Sequence, residues 1–405
     1  MRQSTTIYSG DMHNILHINI GYPPADGLGG PTRTVSSVAN EQARRGHRVT
    51  VVCTNLHDKN RRVFPHTEHR LVGDVSVHYM RTHTIPLWPG TLGPLWVPDL
   101  LPFLRKELRG FDIVHIHGIR DTMSYLTAVK ATTLGTPYVV QPHGEVPYLG
   151  EAVPKRLYDR LFTRRIVEGA SAFLALSRKE ASECRAMSAN APVEVVSNGI
   201  AAENYFPLPA RGWLRARVGI SPECRVVLFL GRLNWIKGID LLLEGFARCR
   251  EKSCLVLVGP DEGEGHHLHQ MARHLGIQER TFFVGPLPPG DVLKAYVDAD
   301  LFVLTSRKEL FPNTVMEACG AGVPIVMTDT CEIAGIVSGK AALVVPPERD
   351  AIGGAIDRLL ADHALSAALA QGGKELARTT FSMNTVVDRL DEVYAGAMVK
   401  KGKNT

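Results

Sequence analysis

The chain consists of two successive series of short apolar runs that alternate with helix-like segments. The runs include residues 15–18 and 113–117 in the first series, and residues 225–230 and 301–304 in the second. Near-continuous apolar strands that alternate with helices are buried on both faces, so they predict parallel, doubly wound sheets. A length of 405 residues fits two or three domains at roughly 100–200 residues each. We therefore predict an α/β protein with two Rossmann-like domains.

The stretch between the two series, residues 201–224, is weakly patterned and contains three prolines and two glycines. We interpret it as a linker. The predicted domains are residues 1–203 and residues 204–383, followed by a helix in the tail. Two such domains would enclose a cleft faced by strand carboxyl ends and helix N-termini.

Two carboxylates, Glu309 and Glu317, lie eight residues apart after one of the apolar runs. The first lies in a loop with Phe311, and the second lies where a helix should begin, after Pro312 and Asn313. Carboxylates accept hydrogen bonds from hydroxyl groups, and helix N-termini bind phosphate oxygens. This arrangement predicts a site for a polyhydroxylated, anionic ligand, although two solvated glutamates remain the alternative.

Two cations, Arg232 and Lys237, follow the first strand of the second series. Fixed cations can neutralise a diphosphate leaving group without a metal. The alternative is a pair of solvated loop side chains.

A glycine-rich segment, residues 27–31, follows the first strand of the chain and opens a helix. Glycines such as Gly29 and Gly30 let the backbone approach a ligand closely, and the helix N-terminus favours phosphate. The segment is not a G-x-G-x-x-G dinucleotide motif, and a plain tight turn would have the same composition.

Several histidines lie on or after first-series strands. His143 follows one strand at its carboxyl end, which favours a functional position, whereas His115 and His117 lie within another strand. The His-x-His pair could chelate a metal, but no acidic residue is spaced to assist, so we interpret it as packing. Asp298 and Asp300 form a D-x-D pair, for which metal binding is the alternative to a structural turn.

Residues 306–324 resemble the E-x7-E element of the GT4 family of retaining glycosyltransferases, which have the GT-B fold. The resemblance includes Ser306, Phe311, the Glu-Ala pair at Glu317 and the Gly-x-Pro that ends at Pro324. Residues 231–238 are similar to the Gly-Arg…Lys-Gly motif of the same family. The resemblance runs from about residue 14 to residue 398.

The resemblance implies specific roles. Arg232 and Lys237 bind the diphosphate, Glu317 accepts hydrogen bonds from the ribose, and Glu309 accepts them from the donor sugar. The N-terminal domain binds the acceptor, the C-terminal domain binds the donor, and a helix at about residues 384–400 packs back on the N-terminal domain. Further implied contacts are donor contacts at Gly29, Gly30, Leu287, Phe311, Asn313 and Thr314, and a sugar contact at His143.

The implied reaction is transfer of a hexosyl group, with retention, from a UDP- or GDP-sugar. The acceptor would be a glycan, a lipid-linked molecule or a small molecule, in cell-surface polysaccharide or glycoconjugate synthesis, and no metal or other cofactor would be required. One alternative is a non-catalytic nucleotide-sugar-binding partner of a transferase. Another is a GT-B epimerase or phosphorylase, although a phosphorylase needs a cofactor lysine or a phosphate site that the sequence lacks.

The net charge of +5 is a mild basic excess. No basic tract is interleaved with aromatic residues, so nucleic acid is not expected as a partner, whereas a nucleotide sugar or an anionic membrane surface is. Seven scattered cysteines without a C-x-x-C pair indicate reduced thiols in the cytoplasm. The polar first 14 residues do not resemble a signal peptide, and no apolar run approaches ~20 residues.

Residues 84–104 break the strand–helix pattern, because they combine several prolines with Trp88 and Trp96. One interpretation is a packed loop. The other is a surface for the acceptor or for the inner face of the plasma membrane, since tryptophans suit an interface and the basic residues Arg105, Lys106 and Arg109 follow.

Overall fold

The computed structural model describes residues 11–58, 60–84, 95–146, 159–187 and 191–402. The chain divides into two compact units, unit 1 with Met1–Asn198 and Met383–Thr405, and unit 2 with Gly199–Ser382. Each unit is built on a parallel sheet with helices, as the sequence predicts.

The described residues of unit 1 contain an eight-stranded sheet in the order β10-β9-β8-β7-β1-β2-β4-β3. Its pairs are parallel except for the antiparallel pair β3–β4. A separate two-stranded ribbon pairs β5 with β6. The strands are β1 (Asn14–Ile18), β2 (Arg48–Thr54), β3 (Glu68–Val72), β4 (Val75–Met80), β5 (His83–Thr84), β6 (Leu95–Trp96), β7 (Ile113–His117), β8 (Tyr138–Gln141), β9 (Ala172–Ala175) and β10 (Val193–Val195).

The described residues of unit 2 contain a six-stranded, fully parallel sheet in the order β13-β12-β11-β14-β15-β16. Because every strand runs in the same direction, the carboxyl ends of all six lie along one edge. The strands are β11 (Arg225–Leu230), β12 (Ser253–Val258), β13 (Thr281–Gly285), β14 (Leu301–Leu304), β15 (Ile325–Thr328) and β16 (Ala342–Val345).

Helices cover the sheets in both units. Unit 1 has α1 (Gly30–Arg44), α2 (Leu100–Glu107), α3 (Thr122–Leu134), α4 (Arg164–Glu168), α5 (Arg178–Met187) and α14 (Met383–Gly402). Unit 2 has α6 (Trp213–Val218), α7 (Ile239–Phe246), α8 (Gly265–His274), α9 (Pro289–Asp298), α10 (Asn313–Ala321), α11 (Ala334–Val337), α12 (Arg349–Ala361) and α13 (His363–Arg378). None of the helices in the described ranges is long and apolar enough to cross a membrane.

The last helix, α14, belongs to unit 1 because one of its faces is apolar. Val387, Leu390 and Tyr394 are buried on that face and form one cluster with residues of the sheet, including Ile15 and Ile113. Burial of this face is what returns the end of the chain to the first unit.

Two segments differ from the sequence interpretation. The hairpin β3–β4 has no counterpart in it, because β3 lies at the sheet edge with mostly exposed residues and lacks an apolar run. The segment 201–224 was interpreted as a linker, but it lies inside unit 2 and contains α6. The predicted boundary fell after residue 203, whereas the units divide after Asn198.

The expectation of seven reduced thiols is wrong for one pair of cysteines. Cys224 and Cys254 form a disulfide with their Cα atoms 6.5 Å apart. Cys224 precedes β11 and Cys254 lies in the adjacent β12, so the pairing of the strands brings together two residues that are 30 positions apart. The other five cysteines, all in the described ranges, are buried free thiols.

Leu390→Ala should lower the free energy of unfolding of unit 1 by about 2–5 kcal/mol, because it leaves a cavity under α14. Leu390 is 1 % exposed. Val399→Ala is the control, since Val399 lies on the same helix but is 62 % exposed. Urea unfolding followed by circular dichroism measures both variants, and equal losses would contradict the packing role of this helix face.

Candidate functional site

Loops at the carboxyl edge of the unit 2 sheet bring together Lys237 and Glu309. Lys237 Nζ donates to Glu309 Oε1, and the two side chains are only 15 % and 20 % exposed. Lys237 ends the short 3-10 turn Trp235–Lys237 after β11, and Glu309 lies in the loop after β14. The structure therefore brings together two of the residues that the sequence assigned to one site.

Gly238 is required for this approach. Its φ is +61°, and a Cβ atom on it would lie 2.1 Å from the carbonyl oxygen of Thr305. A side chain would therefore both strain the backbone and push the Lys237 turn away from the end of β14. The Thr305 hydroxyl closes the contact by donating to the carbonyl oxygen of Gly238 at 2.8 Å.

Arg307 holds the same turn from the other side, a role that the sequence interpretation missed. Its guanidinium pairs with Asp240 at 2.8 and 2.5 Å and donates to the carbonyl oxygen of Trp235 at 2.8 Å. Its backbone N–H donates to the carbonyl oxygen of Ile236 at 2.8 Å. These contacts support the loop that carries Lys237. The only sequence signal was its place between Ser306 and Glu309.

Arg232 lies on the loop directly after β11. Its Nη1 donates to both carboxylate oxygens of Glu262, at 2.9 and 3.1 Å, and the Arg232 side chain is 51 % exposed. Within the described residues, its Nε and Nη2 donors make no hydrogen bond, so they are available to an anion.

The N-terminus of α10 adds further donors. The helix begins at Asn313, and the side chain of its N-cap residue, Pro312, makes no capping hydrogen bond. Glu317 lies in the second turn of the helix, where its Oε2 accepts a hydrogen bond from the buried Tyr296 hydroxyl at 3.0 Å. Tyr296 is therefore a supporting residue that the sequence interpretation did not identify.

The other predicted donor contacts lie near the same edge. Thr314 is the second residue of α10, and Leu287 lies half-buried in the loop after β13. Phe311 is buried, and its ring meets Phe381 edge-on with 6.0 Å between centroids. The donor contact of Phe311 remains a prediction, and the burial of its ring favours support of the loop.

The D-x-D pair is engaged in structural contacts. The buried Asp298 carboxylate accepts from the backbone N–H groups of Gly212 and Leu214. Asp300 pairs with Arg215 at 2.8 Å and accepts from the Val226 backbone N–H at 2.8 Å. These contacts attach the segment before β11 to the start of β14.

In unit 1, the predicted glycine-rich loop ends at the start of a helix. Gly29 precedes α1 with φ +93°, and Gly30 is the first helical residue. A Cβ atom on Gly29 would meet nothing within 4 Å, so its requirement for glycine is conformational rather than steric.

His143 occupies a strained turn after β8. Its φ of +52° makes it the one non-glycine residue with positive φ in the described ranges, and such strain is often found at functional positions. The buried Glu180 holds the turn, because its carboxylate accepts from the N–H of Gly144 at 2.6 Å and of Leu176 at 2.7 Å. The sequence Ser177-x-x-Glu180, a helix-capping pattern, was the signal for this residue.

His143 is the partly exposed first member of a chain of histidines whose other members are buried. Its Nε2 lies 2.9 Å from His117 Nδ1, and His117 Nε2 lies 3.0 Å from His17 Nδ1. His17 Nε2 lies 2.7 Å from Gln42 Oε1. Burial lowers the pKa of His17 and of His143 to about 4. Burial also lowers the pKa of His117 well below its ordinary value, so these imidazoles are neutral at pH 7.

Two carboxylates meet beside this turn. A Cβ atom on Gly118 would lie 3.3 Å from Asp121 Oδ2 and 3.5 Å from both oxygens of Glu145. Burial, opposed by the hydrogen bond from the Ile119 N–H and assisted by the nearby Asp121, raises the pKa of Glu145 to about 7. Glu145 therefore exchanges its proton near neutral pH.

The predicted surface at residues 84–104 is only partly described. Trp88 and the prolines at 86, 89 and 94 lie outside the described residues. Trp96 is 56 % exposed, and its partner in β6, Leu95, is buried. Trp96 is thus not a core residue.

Two parallel α/β units, one with fixed cations and carboxylates at the carboxyl edge of its sheet, define the architecture of GT-B glycosyltransferases. The family described as glycosyl transferases group 1 matches residues 213–376, and the glycosyl transferase 4-like domain matches residues 29–199. The two matches together span most of the chain, which therefore belongs to the group 1 glycosyltransferases.

The chain is similar to several known proteins. It is 28 % identical over 325 residues to a D-inositol 3-phosphate glycosyltransferase of Salinispora arenicola, across 76 % of this chain and 68 % of that one. It is 22 % identical to an uncharacterised glycosyltransferase of Methanocaldococcus jannaschii, across 94 % and 98 % of the two chains.

Solved structures share the fold. Anabaena HepE in complex with UDP and glucose aligns with a TM-score of 0.73 at 19 % identity, over 95 % of this chain and 99 % of that one. Sucrose-phosphate synthase of Thermosynechococcus elongatus aligns with a TM-score of 0.74 at 20 % identity, over 96 % and 100 %. The predicted GT-B fold is confirmed.

The buried histidines should make the protein less stable as the pH falls from 7 to 5. The folded-state pKa values of His17 and His143, about 4, lie below the ordinary value of 6.5, and those of His115 and His117 are also lowered. At pH values between the folded-state pKa of about 4 and the ordinary pKa of 6.5, the unfolded chain binds protons that the folded chain does not. As the pH falls through this range, each such histidine lowers the free energy of unfolding by up to about 1.4 kcal/mol per pH unit.

Glu145 acts in the opposite direction, because its pKa is raised from 4.5 to about 7. Its contribution to stability is present below pH 4.5 and is lost as the pH rises through 7, so it offsets one histidine. Urea unfolding at pH 7 and pH 5 measures the net effect. His17→Gln should flatten the pH dependence, whereas the exposed control His66→Gln should not. If the wild-type chain were as stable at pH 5 as at pH 7, or more stable, the lowered pKa values of these histidines would be contradicted.

Proposed function

We propose that the chain transfers a hexosyl group, with retention of the anomeric configuration, from a nucleoside-diphosphate sugar to a hydroxyl acceptor. The observation that carries the proposal is the convergence of Lys237 and Glu309 at the carboxyl edge of the unit 2 sheet. Arg232 and the N-terminus of α10 belong to loops at the same edge.

The donor diphosphate is assigned to Arg232, Lys237 and the first N–H groups of α10. Arg232 has two nitrogen donors without a protein partner in the described residues, and the N-cap residue of α10, Pro312, makes no side-chain capping hydrogen bond. A helix N-terminus and fixed cations both favour phosphate, and donors fixed before the reaction stabilise the charge that develops on a leaving group. Similar folds have been solved with UDP and with UDP-glucose, which supports a UDP-sugar as the first donor to test.

The hydroxyl groups of the donor are assigned to two carboxylates. Glu317 would accept from the ribose and Glu309 from the transferred sugar, since ionised carboxylates are strong hydrogen-bond acceptors. Each is already oriented by a protein donor, Glu309 by Lys237 and Glu317 by Tyr296. Leu287, in the loop after β13, would border the base. The family resemblance assigns further ligand contacts to Gly29, Gly30 and His143 of unit 1, and these contacts stay predictions.

The reaction is proposed to proceed without a metal. The cations and the helix N-terminus supply the charge stabilisation that a divalent ion would otherwise provide. Asp298 and Asp300 are the residues that a metal-dependent mechanism would recruit, but their oxygens accept hydrogen bonds from backbone N–H groups and arginine side chains.

The acceptor is proposed to be a glycan, a lipid-linked molecule or a small polyhydroxylated molecule. The exposure of Trp96 and the exposed basic Arg105 and Lys106 that follow support an apolar or membrane-bound acceptor. A non-catalytic nucleotide-sugar-binding role is the second candidate, and product formation by the purified protein separates the two.

Replacing Arg232 or Lys237 by alanine should weaken nucleoside-diphosphate binding by about 1.5–3 kcal/mol per variant, the value of a charge-assisted hydrogen bond. Isothermal titration calorimetry with UDP and GDP measures the change. Lys340→Ala is the matched control, because Lys340 is exposed and lies before β16, at the opposite edge of the same sheet. Unchanged affinity in both site variants would remove the diphosphate assignment.

The product should retain the anomeric configuration of the donor sugar. A screen of UDP-, GDP- and ADP-sugars by thermal shift and hydrolysis selects the donor, and proton NMR of the earliest product gives its configuration. Glu309 should act by positioning the sugar, so Glu309→Gln should lower turnover without abolishing diphosphate binding. An inverted product, or a trapped covalent adduct on Glu309, would contradict the proposed stereochemical course.

A further inference from the structure

We propose that Gln42 acts through His17 and His117 to fix the tautomer of His143, so that His143 presents an unprotonated Nδ1 to a substrate hydroxyl. Gln42, His17 and His117 are then positioning residues, and His143 is the group that meets the substrate. The role of His143 rests on the proposed function, whereas its tautomer does not.

The four side chains form one continuous hydrogen-bonded line within unit 1. The separations are 2.7 Å from Gln42 Oε1 to His17 Nε2, 3.0 Å from His17 Nδ1 to His117 Nε2, and 2.9 Å from His117 Nδ1 to His143 Nε2. Gln42 and His17 are fully buried and His117 nearly so. Both nitrogens of each interior ring therefore have a hydrogen-bond partner.

The protonation pattern follows from this order, because a neutral imidazole has one donor nitrogen and one acceptor nitrogen. The Gln42 carbonyl can only accept, so His17 carries its proton on Nε2 and its Nδ1 accepts. His117 must then donate from Nε2 and accept at Nδ1. His143 in turn donates from Nε2, which leaves its Nδ1 without a proton.

This pattern of donors and acceptors requires each imidazole to be neutral. Burial lowers the pKa of His17 and His143 to about 4 and lowers that of His117 well below its ordinary value. No carboxylate is hydrogen-bonded to any of the three rings in the described residues. A single proton per ring is therefore the state at pH 7.

Tyr394 on α14 orients the Gln42 amide. Gln42 Nε2 lies 3.5 Å from the Tyr394 hydroxyl oxygen, and the same hydroxyl lies 2.7 Å from His115 Nδ1. The hydroxyl oxygen has two lone pairs, so it can accept the Gln42 amide N–H whichever of Tyr394 and His115 donates in the other contact. The Gln42 carbonyl then faces His17. A reversed amide would reverse every bond in the line and place a proton on Nδ1 of His143.

A metal ion is the other interpretation of this cluster, since His17, His115 and His117 each have a ligand atom within 4.8 Å of the others. The ring planes argue against it. His115 and His117 are stacked, with centroids 3.9 Å apart and planes 28° apart. A metal lies along the lone pair in the plane of each ligating ring, and nearly parallel rings do not direct their lone pairs to one point.

The fixed tautomer has a chemical consequence at the substrate. Nδ1 of His143 has no hydrogen-bond partner among the described residues, and the strained turn is held by Glu180. An unprotonated nitrogen can accept the proton of a sugar or acceptor hydroxyl, which a protonated Nδ1 cannot do. The line of side chains therefore makes His143 a hydrogen-bond acceptor.

Nitrogen NMR of histidine-labelled wild-type protein tests the tautomer directly at pH 7. We expect His17, His117 and His143 each to be protonated at Nε2 and unprotonated at Nδ1, with His143 assigned by its loss in His143→Asn. A proton on Nδ1 of His143 would overturn the proposal. About one tightly bound divalent metal per chain, removed only by a strong chelator and ligated by these histidines, would also overturn it. Because the tautomer is measured in the wild-type chain, this test does not depend on whether a Gln42 variant folds.

Gln42→Met removes the carbonyl acceptor at nearly constant volume and should shift His143 toward protonation at Nδ1. With the donor selected above, kcat should fall by about tenfold or more, while affinity for the nucleoside diphosphate stays within about twofold, because the assigned diphosphate ligands lie in unit 2. Gln371→Met, at an exposed position, is the matched control and should change neither property.

An unchanged His143 tautomer in folded Gln42→Met would overturn the proposal. If the wild-type chain used no nucleotide sugar at all, the proposed function would fail, and the NMR result would still decide whether the tautomer is fixed.

Discussion

The close approach of the Lys237–Gly238 peptide to the end of β14 is the contact on which the candidate site of unit 2 depends. Gly238 permits it, because a Cβ atom there would lie 2.1 Å from the Thr305 carbonyl oxygen. The approach places Lys237 against Glu309, a residue 72 positions later in the chain. Arg307 then fixes the turn from the opposite side. A cation and a carboxylate are thereby oriented by backbone contacts rather than by their own attraction, which is weak for partly exposed pairs.

Unit 1 uses a different device at the carboxyl end of one of its own strands, β8. The turn after β8 holds His143 at positive φ, and the buried Glu180 stabilises that turn through two backbone N–H groups. Buried polar groups are tolerated only when they are hydrogen-bonded. The line from Gln42 to His143 meets that requirement for each interior ring, which explains how three adjacent strands and a helix can place imidazoles in an apolar core.

Much of this architecture could be predicted from the sequence, because buried parallel strands are apolar runs. The strands at Ile113–His117, Arg225–Leu230 and Leu301–Leu304 have the bounds that the pattern indicates. The edge strand β3 could not be predicted, since its residues are mostly exposed and carry no apolar run. The disulfide between Cys224 and Cys254 depends on strand order, which cysteine spacing alone does not reveal.

The candidate site of unit 2 was likewise predictable from the sequence only in part. Glu309, Lys237 and Arg232 lie in recognisable local motifs, so their types and spacing identify them. The supporting residues Arg307 and Tyr296 could not be identified in this way, because they act through contacts with residues that are distant in the sequence. The interpretation of His115 and His117 as packing residues was correct in burial, yet it missed the hydrogen bond between His117 and His143. Side-chain networks of this kind require the register of three strands, which no single sequence window contains.

The two units also differ in the charge that they present at these edges. Unit 2 offers Lys237, Arg232 and the N-terminus of α10, all of which favour an anion. Unit 1 offers a neutral imidazole at His143 beside the carboxyl groups of Asp121 and Glu145, which would repel a phosphate once ionised. Because the pKa of Glu145 is about 7, a carboxyl group that both donates and accepts is present near neutral pH. We therefore expect unit 2 to recognise the diphosphate and unit 1 to recognise uncharged hydroxyl groups.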